Sequence, residues 1–238
     1  MESFGANARQ STSEQSQVVD YYDQLAERYD HERFDNAYGK YVDAQERRAL
    51  RHWLTPITHG NILDLACGTG RLLDMATHGL DASDAMVRIA RQKYPSKQVH
   101  CGPACELGRL GVQFDAIFCL HLFMHLPRTE IEDLFRCCRE GLRPGGLFIF
   151  DVPLALRRNL TKFRPAGWHA GTALTHGEVM SFTSHGWRCR TSRGVLFFPI
   201  HRVPKEVRRI LRWLDDLICM SPAKRVSSYG LFCFEKVP

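Results

Sequence analysis

The sequence predicts an α/β fold in which a mostly parallel sheet lies between two layers of helices. Short apolar runs at residues 61–66, 79–81, 98–101, 114–120 and 147–152 alternate with segments of helical periodicity. A glycine turn, Cys67-Gly68-Thr69-Gly70, joins the first run to the next helical segment. Parallel strands need such helical crossovers, and crossovers within one sheet are right-handed. The 238 residues, 44% of them hydrophobic, are enough for one large domain with its own core.

The composition argues against a membrane, secreted or zinc-binding protein. The longest apolar runs are far shorter than the roughly 20 residues of a membrane helix. The N-terminus lacks the basic start and apolar stretch of a signal peptide, so we expect a cytoplasmic protein without a membrane span. The nine cysteines are an odd number, which suits reduced thiols. Cys101 and Cys105 lack a second pair at zinc-ligand spacing, so we expect no metal.

The net charge of +6 is unevenly distributed along the chain. Residues 1–60 carry 7 Lys and Arg against 10 Asp and Glu, residues 61–152 carry 10 against 11, and residues 153–238 carry 15 against 5. The basic excess therefore lies in the last third. A basic patch can indicate nucleic acid, an anionic substrate or a membrane surface.

Helices are predicted ahead of the first strand, at residues 18–34 and 40–54, after a polar tail. The first strand, at 61–66, leads through the glycine turn into a predicted helix at 71–77. The second strand, at 79–81, ends at Asp81, and Ser83 is the predicted N-cap of a helix at 84–94.

The remaining strands follow the same alternation. After the third and fourth strands, Thr129 is the predicted N-cap of a helix that extends to Glu140, with Glu132 completing a capping box. Glycine and proline then turn the chain into the fifth strand at 147–152. Beyond it, the pattern predicts a strand at 187–200, a basic amphipathic helix at 205–220 and a last strand at 227–236.

The glycine turn and Asp81 indicate an adenosine-type ligand without a pyrophosphate. Glycines let a backbone approach a ligand closely at the start of a helix. Leu73 stands where a dinucleotide fingerprint has its third glycine, and no P-loop Lys-Ser or Lys-Thr pair follows the turn. At the end of the second strand, the Asp81 carboxylate can accept hydrogen bonds from both hydroxyls of a ribose.

Four ordered motifs resemble those of class I S-adenosylmethionine-dependent methyltransferases. They are Asp64 to Gly70 (DLACGTG), Gly79 to Ser83 with Met86, Phe114-Asp115 leading to Leu126-Pro127, and Leu142 to Gly146. The segment from Tyr21-Tyr22 to Tyr29-Asp30 resembles the helical lid of the small-molecule subgroup. The resemblance implies a Rossmann-like three-layer sandwich whose seven-stranded sheet has the order 3-2-1-4-5-7-6, with strand 7 antiparallel.

The same resemblance implies how the chain is organised. Residues 1–238 would form a single methyltransferase domain, with a flexible tail at 1–16, an N-terminal helical lid at 17–56 and a cofactor-binding core at 61–152. Residues 153–238 would supply substrate-side elements and the last two strands.

The resemblance assigns contacts to S-adenosylmethionine and its product S-adenosylhomocysteine. The residues implied are Asp64, Ala66, Gly68 and Gly70 at the methionyl and ribose side, Asp81 at the ribose hydroxyls, Ala82 and Met86 beside adenine, and the backbone of Cys119 and Leu120 near the methionyl amine and the methyl group. Cys67, within the glycine turn, is also an implied cofactor residue. This chain departs from the family in two places. Only eleven positions separate Gly70 from Asp81, which shortens the first helix to about two turns, and Gly102-Pro103-Ala104 replaces a family Gly-Asp-Ala. The Ala104 N–H or a neighbouring side chain must therefore replace the missing adenine contact.

Methyl transfer is an in-line displacement that depends mainly on alignment, and a base is needed only when the nucleophile carries a proton. His121 and His125 follow the fourth strand, at the sheet edge where α/β proteins place their sites, so both are candidate bases. Packing histidines are the alternative. Tyr21, Trp168 and His169 are candidate substrate contacts, with loop or helix packing as the alternative. Core packing of the N-terminal helix is expected for Tyr22 and Tyr29.

The favoured function is methyl transfer to an O, N or C atom of a small metabolite by a monomer or homodimer. An RNA methyltransferase that uses the basic C-terminal third is the second hypothesis, although the chain lacks the Asn-Pro-Pro-Tyr or Asp-Pro-Pro-Tyr motif of many amino-methylating nucleic-acid enzymes. A catalytically silent protein that retains the fold and binds the cofactor is the third. A solvated helix face explains the basic residues adequately, so nucleic acid is not the expected partner.

Overall fold

The N-terminal part of the chain is helical. The structure is a computed structural model that describes residues 16–57, 59–164, 171–204 and 206–237. Helices α1 (residues 16–25), α2 (Tyr29–Phe34) and α3 (Ala37–Leu54) precede the sheet, and a 3₁₀ turn at Ala26–Arg28 joins the first two. Asn36 caps α3, because its side chain accepts hydrogen bonds from the backbone N–H groups of Tyr38 and Gly39.

Strands and helices then alternate along the chain. The first five strands and their helices are β1 (Ile62–Leu65), β2 (His78–Asp81), α4 (Asp84–Lys93), β3 (Gln98–Cys101), β4 (Phe114–Cys119), α5 (Arg128–Gly141) and β5 (Leu142–Pro153). The C-terminal part contains α6 (Ala155–Leu160), α7 (His176–Ser181), β6 (Trp187–Val195), α8 (Arg208–Met220) and β7 (Tyr229–Lys236).

The seven strands form one sheet in the order β3-β2-β1-β4-β5-β7-β6, which confirms the predicted order. Strand β7 lies between β5 and β6 and is antiparallel to both, whereas β1 to β5 pair in parallel. The chain runs outward from β1 to β3 and then returns to the other side of β1 with β4. The strand order therefore reverses between β1 and β4, the place where open α/β sheets bind ligands.

Alternating side chains of the strands supply two hydrophobic cores, one on each face of the sheet. On one face, Ile62, Phe118 and Ile149 pack with buried residues of α3 and α4. On the other face, Leu63 and Phe148 pack with buried residues of α5 and α7. Helices on both faces confirm the three-layer arrangement.

The predicted helix at residues 71–77 is wrong. Residues 66–77 are all described, and they contain only a 3₁₀ turn at Leu73–Met75. The connection between the glycine turn and β2 is short. Because β1 and β2 are parallel, most of it is needed to run from the end of β1 back to the start of β2. A single tight turn fits that length, and the burial of Leu73 anchors it.

Several predicted boundaries also shift. Helix α5 begins at Arg128 after Pro127, without a side-chain cap, so the predicted N-cap at Thr129 is wrong. A capping box exists instead at α7, where Thr175 and Glu178 exchange hydrogen bonds. No helix in the described ranges combines the length and the apolar character that crossing a membrane requires.

Candidate active site

A cavity of about 400 Å³ lies at the carboxyl edge of β1, β2 and β4. Its walls come from these strand ends, from α1 and α2, and from the start of α5. Nine residues predicted from the sequence line it, namely Ala66, Gly68, Asp81, Ala82, Met86, Ala104, Leu120, His121 and His125. The residues between β1 and β2 and those after β4 therefore meet at the position where the strand order reverses.

The turn after β1 adopts left-handed backbone conformations at Ala66 (φ 59°), Gly68 (φ 54°) and Gly70 (φ 83°). A side chain at Gly68 would meet no atom within 4 Å, whereas one at Gly70 would lie 3.3 Å from Ala90 and the Tyr94 ring. Gly68 therefore leaves open space beside the cavity, where a ligand can approach the backbone. Gly70 lets the turn pack closely against α4 and does not line the cavity.

Asp81 is fixed by two backbone hydrogen bonds. Its Oδ2 accepts from the Gly68 N–H at 2.7 Å and its Oδ1 accepts from the Ser83 N–H at 2.9 Å. Burial raises the pKa of the carboxyl, while the two N–H groups act in the opposite direction. Each carboxylate oxygen keeps a further lone pair beside the cavity, which suits it to accept hydrogen bonds from a diol.

Four of the predicted cofactor residues do not line the cavity. Asp64, Cys67 and Cys119 are buried, and burial raises the pKa of each well above its ordinary value. Asp64 Oδ2 has no hydrogen-bond partner among the residues that the structure describes. These three residues and Gly70 are therefore not part of the cavity lining. Their roles toward a ligand stay predictions.

Helices α1 and α2 cover one side of the cavity, and Val18, Val19, Tyr22 and Tyr29 line it. Polar contacts tie this cover to the sheet edge, because Thr69 Oγ1 donates to Asp30 at 2.6 Å and Arg88 pairs with Glu27 at 3.1 Å.

Tyr21 is not part of the lining. Its hydroxyl instead accepts a hydrogen bond from Arg33 at 2.7 Å. The sequence predicted packing roles for Tyr22 and Tyr29 and a ligand contact for Tyr21, whereas the geometry places the first two at the cavity.

His121 lies between two buried carboxylates. Its Nε2 is 2.8 Å from Glu46 Oε1, its Nδ1 is 3.6 Å from Asp151 Oδ2, and its backbone N–H donates to Asp151 Oδ1 at 2.6 Å. The backbone is left-handed at this residue (φ 64°), a conformation that costs energy for a residue with a side chain. The hydrogen bond to Asp151 helps to hold that conformation, and 21% of the side chain stays accessible.

The charges of this cluster support one another. Burial alone would lower the pKa of His121, but Glu46 and Asp151 outweigh it, so the pKa is raised. Burial would raise the pKa of Glu46, but His121 and Arg71 lower it to about 2. Burial raises the pKa of Asp151. The cluster thus favours an ionised Glu46 and a protonated His121.

Arg71 completes the cluster from the loop after the glycine turn. It contacts Glu46 at 2.7 Å and Asp43 at 2.5 Å, and its guanidinium stacks over Phe34 at 4.2 Å. The ligand atoms of Glu46, His121 and Asp151 lie within 4.8 Å of one another, close enough for one metal ion. Arg71 and His121 already supply positive charge to Glu46, so a cation is not needed to balance it.

His125 lies one turn farther along the chain, in a 3₁₀ turn at Phe123–His125. Its Nε2 is 3.0 Å from the hydroxyl of Tyr22, and burial raises the pKa of that hydroxyl above its ordinary value. This contact connects α1 directly to the segment that follows β4.

The far end of the cavity combines Ala104 and Cys105 with two carboxylates of α5, Glu130 and Asp133. Both carboxylates line the cavity together with Ala104, and the replacement of the family adenine contact by Ala104 or a neighbouring side chain stays a prediction.

Sequence reasoning missed Glu46, Asp151 and Arg71. Each comes from a different element and has no motif of its own, although a charged residue within an apolar helix face or strand is a signal of burial with a partner. Trp168 and His169, predicted as substrate contacts, lie outside the described residues.

Comparison with protein families gives one domain match. Residues 62–146 match a family described as a methyltransferase domain. These residues contain the glycine turn, Asp81, His121 and His125.

Two curated relatives act on amino sugars. A dTDP-4-amino-2,3,4,6-tetradeoxy-D-glucose N,N-dimethyltransferase of Saccharopolyspora spinosa is 35% identical over 144 residues, which cover 56% of this chain and 55% of the relative. A dTDP-3-amino-3,6-dideoxy-alpha-D-glucopyranose N,N-dimethyltransferase of Streptomyces fradiae is 28% identical over 178 residues, covering 71% of this chain and 68% of that protein. This chain thus spans about half of the first relative and two thirds of the second.

Solved structures share the fold of nearly the whole chain. A magnesium protoporphyrin IX methyltransferase from Synechocystis PCC 6803 with bound S-adenosylmethionine has a TM-score of 0.64 at 15% identity, covering 94% of this chain and 97% of that one. A SAM-dependent methyltransferase of Thermotoga maritima, described as a possible histamine N-methyltransferase, has a TM-score of 0.66 at 15% identity, covering 92% and 99%. At such low identity these similarities establish the fold alone.

Proposed function

Because residues 62–146 match a methyltransferase-domain family and the chain has the fold of class I S-adenosylmethionine-dependent methyltransferases, we propose that this protein methylates a small molecule with S-adenosylmethionine. The observation that carries the proposal is the cavity that joins the glycine turn, Asp81 and His121 at the reversal of strand order. The acceptor class that we propose is the amino group of a sugar, because curated relatives include N,N-dimethyltransferases of dTDP-amino sugars.

The cavity residues fit S-adenosylmethionine. Gly68 leaves space that a Cβ would fill, and Asp81 presents lone pairs that suit a ribose diol. We assign the adenine side to Ala82, Met86 and Ala104, and the methionyl side to Ala66 and Leu120, all of which line the cavity. When bound, S-adenosylmethionine supplies a methyl group on a sulfonium that leaves as a neutral thioether.

The protein's own contribution is alignment, exclusion of water and removal of a proton. Helices α1 and α2 cover the cavity, which keeps water from competing with the acceptor. An ammonium group has no lone pair for attack until it loses a proton. We assign this proton to Nδ1 of the neutral form of His121, because Nε2 faces Glu46 at 2.8 Å, and Glu46 and Asp151 stabilise the imidazolium that forms. His125, held by Tyr22, is assigned to positioning α1 over the site.

Ligand binding is the first test. Isothermal titration calorimetry of the purified chain with S-adenosylhomocysteine should give a dissociation constant in the micromolar range, and the absence of both heat and thermal stabilisation would reject the cofactor. Asp84→Asn, on the exposed first turn of α4 and outside the cavity lining, is a control that should bind normally.

Transfer of a labelled methyl group is the second test. We expect incorporation into dTDP-amino sugars and none into the corresponding neutral dTDP-sugars. Incorporation into sugars that carry only hydroxyl groups would support the proposed methyl transfer but reject the amino group as the acceptor. Labelling of RNA without labelling of any small acceptor would reject the small-molecule class.

A further inference from the structure

Helix α8 has its polar side turned toward the protein. Asp215 is completely buried, and its carboxylate accepts hydrogen bonds from the Tyr41 hydroxyl at 2.9 Å, Gln45 Nε2 at 2.9 Å and the Phe198 N–H at 2.6 Å. These partners come from α3 and from the loop after β6. The carboxylate therefore anchors α8 to the fold, with Cys219 buried one turn farther along.

The opposite side of α8 is apolar and exposed. Trp213 is 62% exposed, and its neighbours on the same face are similarly accessible, namely Ile210 (67%), Leu214 (38%), Leu217 (44%) and Met220 (60%). Their spacing of three or four residues places them in one continuous stripe along the helix. A stripe of this kind normally packs against a core, so its exposure indicates that something outside the described chain covers it.

Positive charge borders this stripe. Arg209 and Arg212 are exposed on α8, and Arg202 and Arg225 are exposed just before and after the helix. Within the described ranges, Arg202, Arg209 and Arg225 form no ion pair, whereas the neighbouring Asp216 already pairs with Arg48 and Arg193. Glu206, four residues before Ile210, is also exposed and forms no ion pair with a described residue, so the uncompensated charge near the stripe is three arginines against one carboxylate and is net cationic.

A second apolar element lies next to the end of α8. Helix α6 packs against the 3₁₀ turn at Pro222–Val226, which directly follows α8. Leu160 is 63% exposed and Phe163, just after α6, is 54% exposed. Exposed apolar side chains are therefore also present on and just after a helix that contacts the turn following α8.

We propose that α8 lies in the interface of a membrane that contains anionic phospholipids, with its apolar stripe among the acyl chains and its arginines at the headgroups. A helix with an apolar face that includes Trp and with cations on its border is suited to this plane. Two copies of the chain related by a two-fold axis would instead bring Arg209 and its neighbours together, which favours a lipid surface over self-association. This proposal does not depend on the proposed methyl transfer.

Vesicle sedimentation tests the proposal with the full chain. We expect binding to vesicles of equal parts phosphatidylglycerol and phosphatidylcholine, little binding to phosphatidylcholine alone, and weaker binding as salt rises. Trp213 fluorescence should shift to shorter wavelength on binding and be quenched by brominated lipid, and both signals should be absent in Trp213→Phe.

Matched variants distinguish binding through α8 from a general electrostatic attraction of the protein to anionic vesicles. Arg209→Ala should weaken binding about five-fold, since one cation near an anionic surface contributes about 1 kcal/mol. Arg136→Ala removes the same charge from α5, which packs on the other face of the sheet, and should bind like the original chain. Trp213→Ala with Leu217→Ala should lose binding while thermal unfolding and S-adenosylhomocysteine binding stay unchanged, because both side chains are exposed.

Three results would overturn the proposal. The first is a lack of binding to both kinds of vesicle. The second is an equal loss for Arg209→Ala and Arg136→Ala, which would indicate unspecific charge attraction. The third is a dimer, seen by light scattering, that dissociates in Trp213→Ala, which would show that a second copy covers the stripe.

Discussion

The buried carboxylates of the site differ in their partners, and the partners set their charge. Asp81 accepts hydrogen bonds from two backbone N–H groups, which hold it in place for a ligand. Glu46 faces His121 and Arg71, which lower its pKa to about 2. Asp151 has less cationic support, and burial raises its pKa. As the pH falls, Asp151 therefore gains a proton before Glu46 does. Glu46 is then the carboxylate that stays ionised beside His121.

Asp81→Ala should weaken S-adenosylhomocysteine binding ten-fold or more, which corresponds to about 1.4 kcal/mol. The physical reason is the loss of the carboxylate that would accept the ribose hydroxyls. Titration calorimetry measures the change, and Asp84→Ala serves as a control on the same segment. An affinity equal to that of the original chain would show that Asp81 only shapes the glycine turn.

Glu46→Gln should move the acidic limb of the kcat/KM profile to lower pH. The neutral amide removes the largest interaction that raises the pKa of His121, so the imidazole loses its proton at lower pH. The profile should be measured with a dTDP-amino sugar, and Glu140→Gln, an exposed residue of α5, should leave the limb in place. A limb that does not move in Glu46→Gln would remove His121 from the assigned role.

His121 should also make stability depend on pH. Because its folded pKa is raised, its contribution to the free energy of unfolding is fully present below the ordinary histidine value of about 6.5. The contribution is lost as the pH rises through the raised pKa. Urea unfolding of the original chain and of His121→Asn should therefore differ more at pH 6 than at pH 9, and a constant difference would contradict the ion pair.

The hydrophobic core on the sheet face covered by α5 and α7 depends on strand β5. Its Phe148 and Phe150 are fully buried between α5 and the neighbouring β7. The Phe150 ring lies 5.0 Å from that of Phe123, in the turn after β4, and 5.6 Å from that of Phe232 on β7. Since Asp151 follows Phe150 directly, the aromatic packing also fixes the carboxylate that holds the His121 backbone.

Phe150→Ala should lower the free energy of unfolding by about 3–5 kcal/mol, because it opens a cavity in a closely packed aromatic layer. Urea denaturation measures this change. Phe163→Ala removes the same side chain at an exposed position and should have an effect within about 0.5 kcal/mol. Equal effects of the two substitutions would contradict the packing described for β5.

The molecule as a whole encloses its cavity with the N-terminal helices. Val18, Val19, Tyr22 and Tyr29 line the cavity from one side, while the glycine turn and Asp81 line it from the other. A ligand of the size of S-adenosylmethionine therefore contacts both parts at once. Binding should tighten the attachment of α1 and α2, which Asp30 and Glu27 already tie to the sheet edge.

Hydrogen exchange should show this coupling. Saturating S-adenosylhomocysteine is expected to slow deuterium uptake in residues 16–34, because a bound ligand stabilises the closed arrangement. Strand β7, whose residues do not line the cavity, is the internal control. Asp30→Asn should exchange faster without ligand, and an uptake in residues 16–34 that ligand leaves unchanged would contradict the covering role.

Local sequence determined the sheet and much of the cavity lining. Short apolar runs, the glycine turn and the carboxylate that ends β2 are features of neighbouring residues, so they predict the strands and the place where ligands bind. The strand order followed from the family resemblance that these motifs carry. The helix expected at 71–77 failed because helical periodicity does not show whether a short connection has room for it.

Tertiary structure decided which distant charges meet and which helix face is covered. Glu46, Arg71, His121 and Asp151 belong to four separate segments, and only the packing of α3 against the strand ends brings them together. The periodicity of α8 likewise shows two faces without saying which one is buried. The hydrogen bonds of Asp215 to Tyr41 and Gln45 decide it, because a buried carboxylate must have partners, and they leave the apolar stripe facing outward.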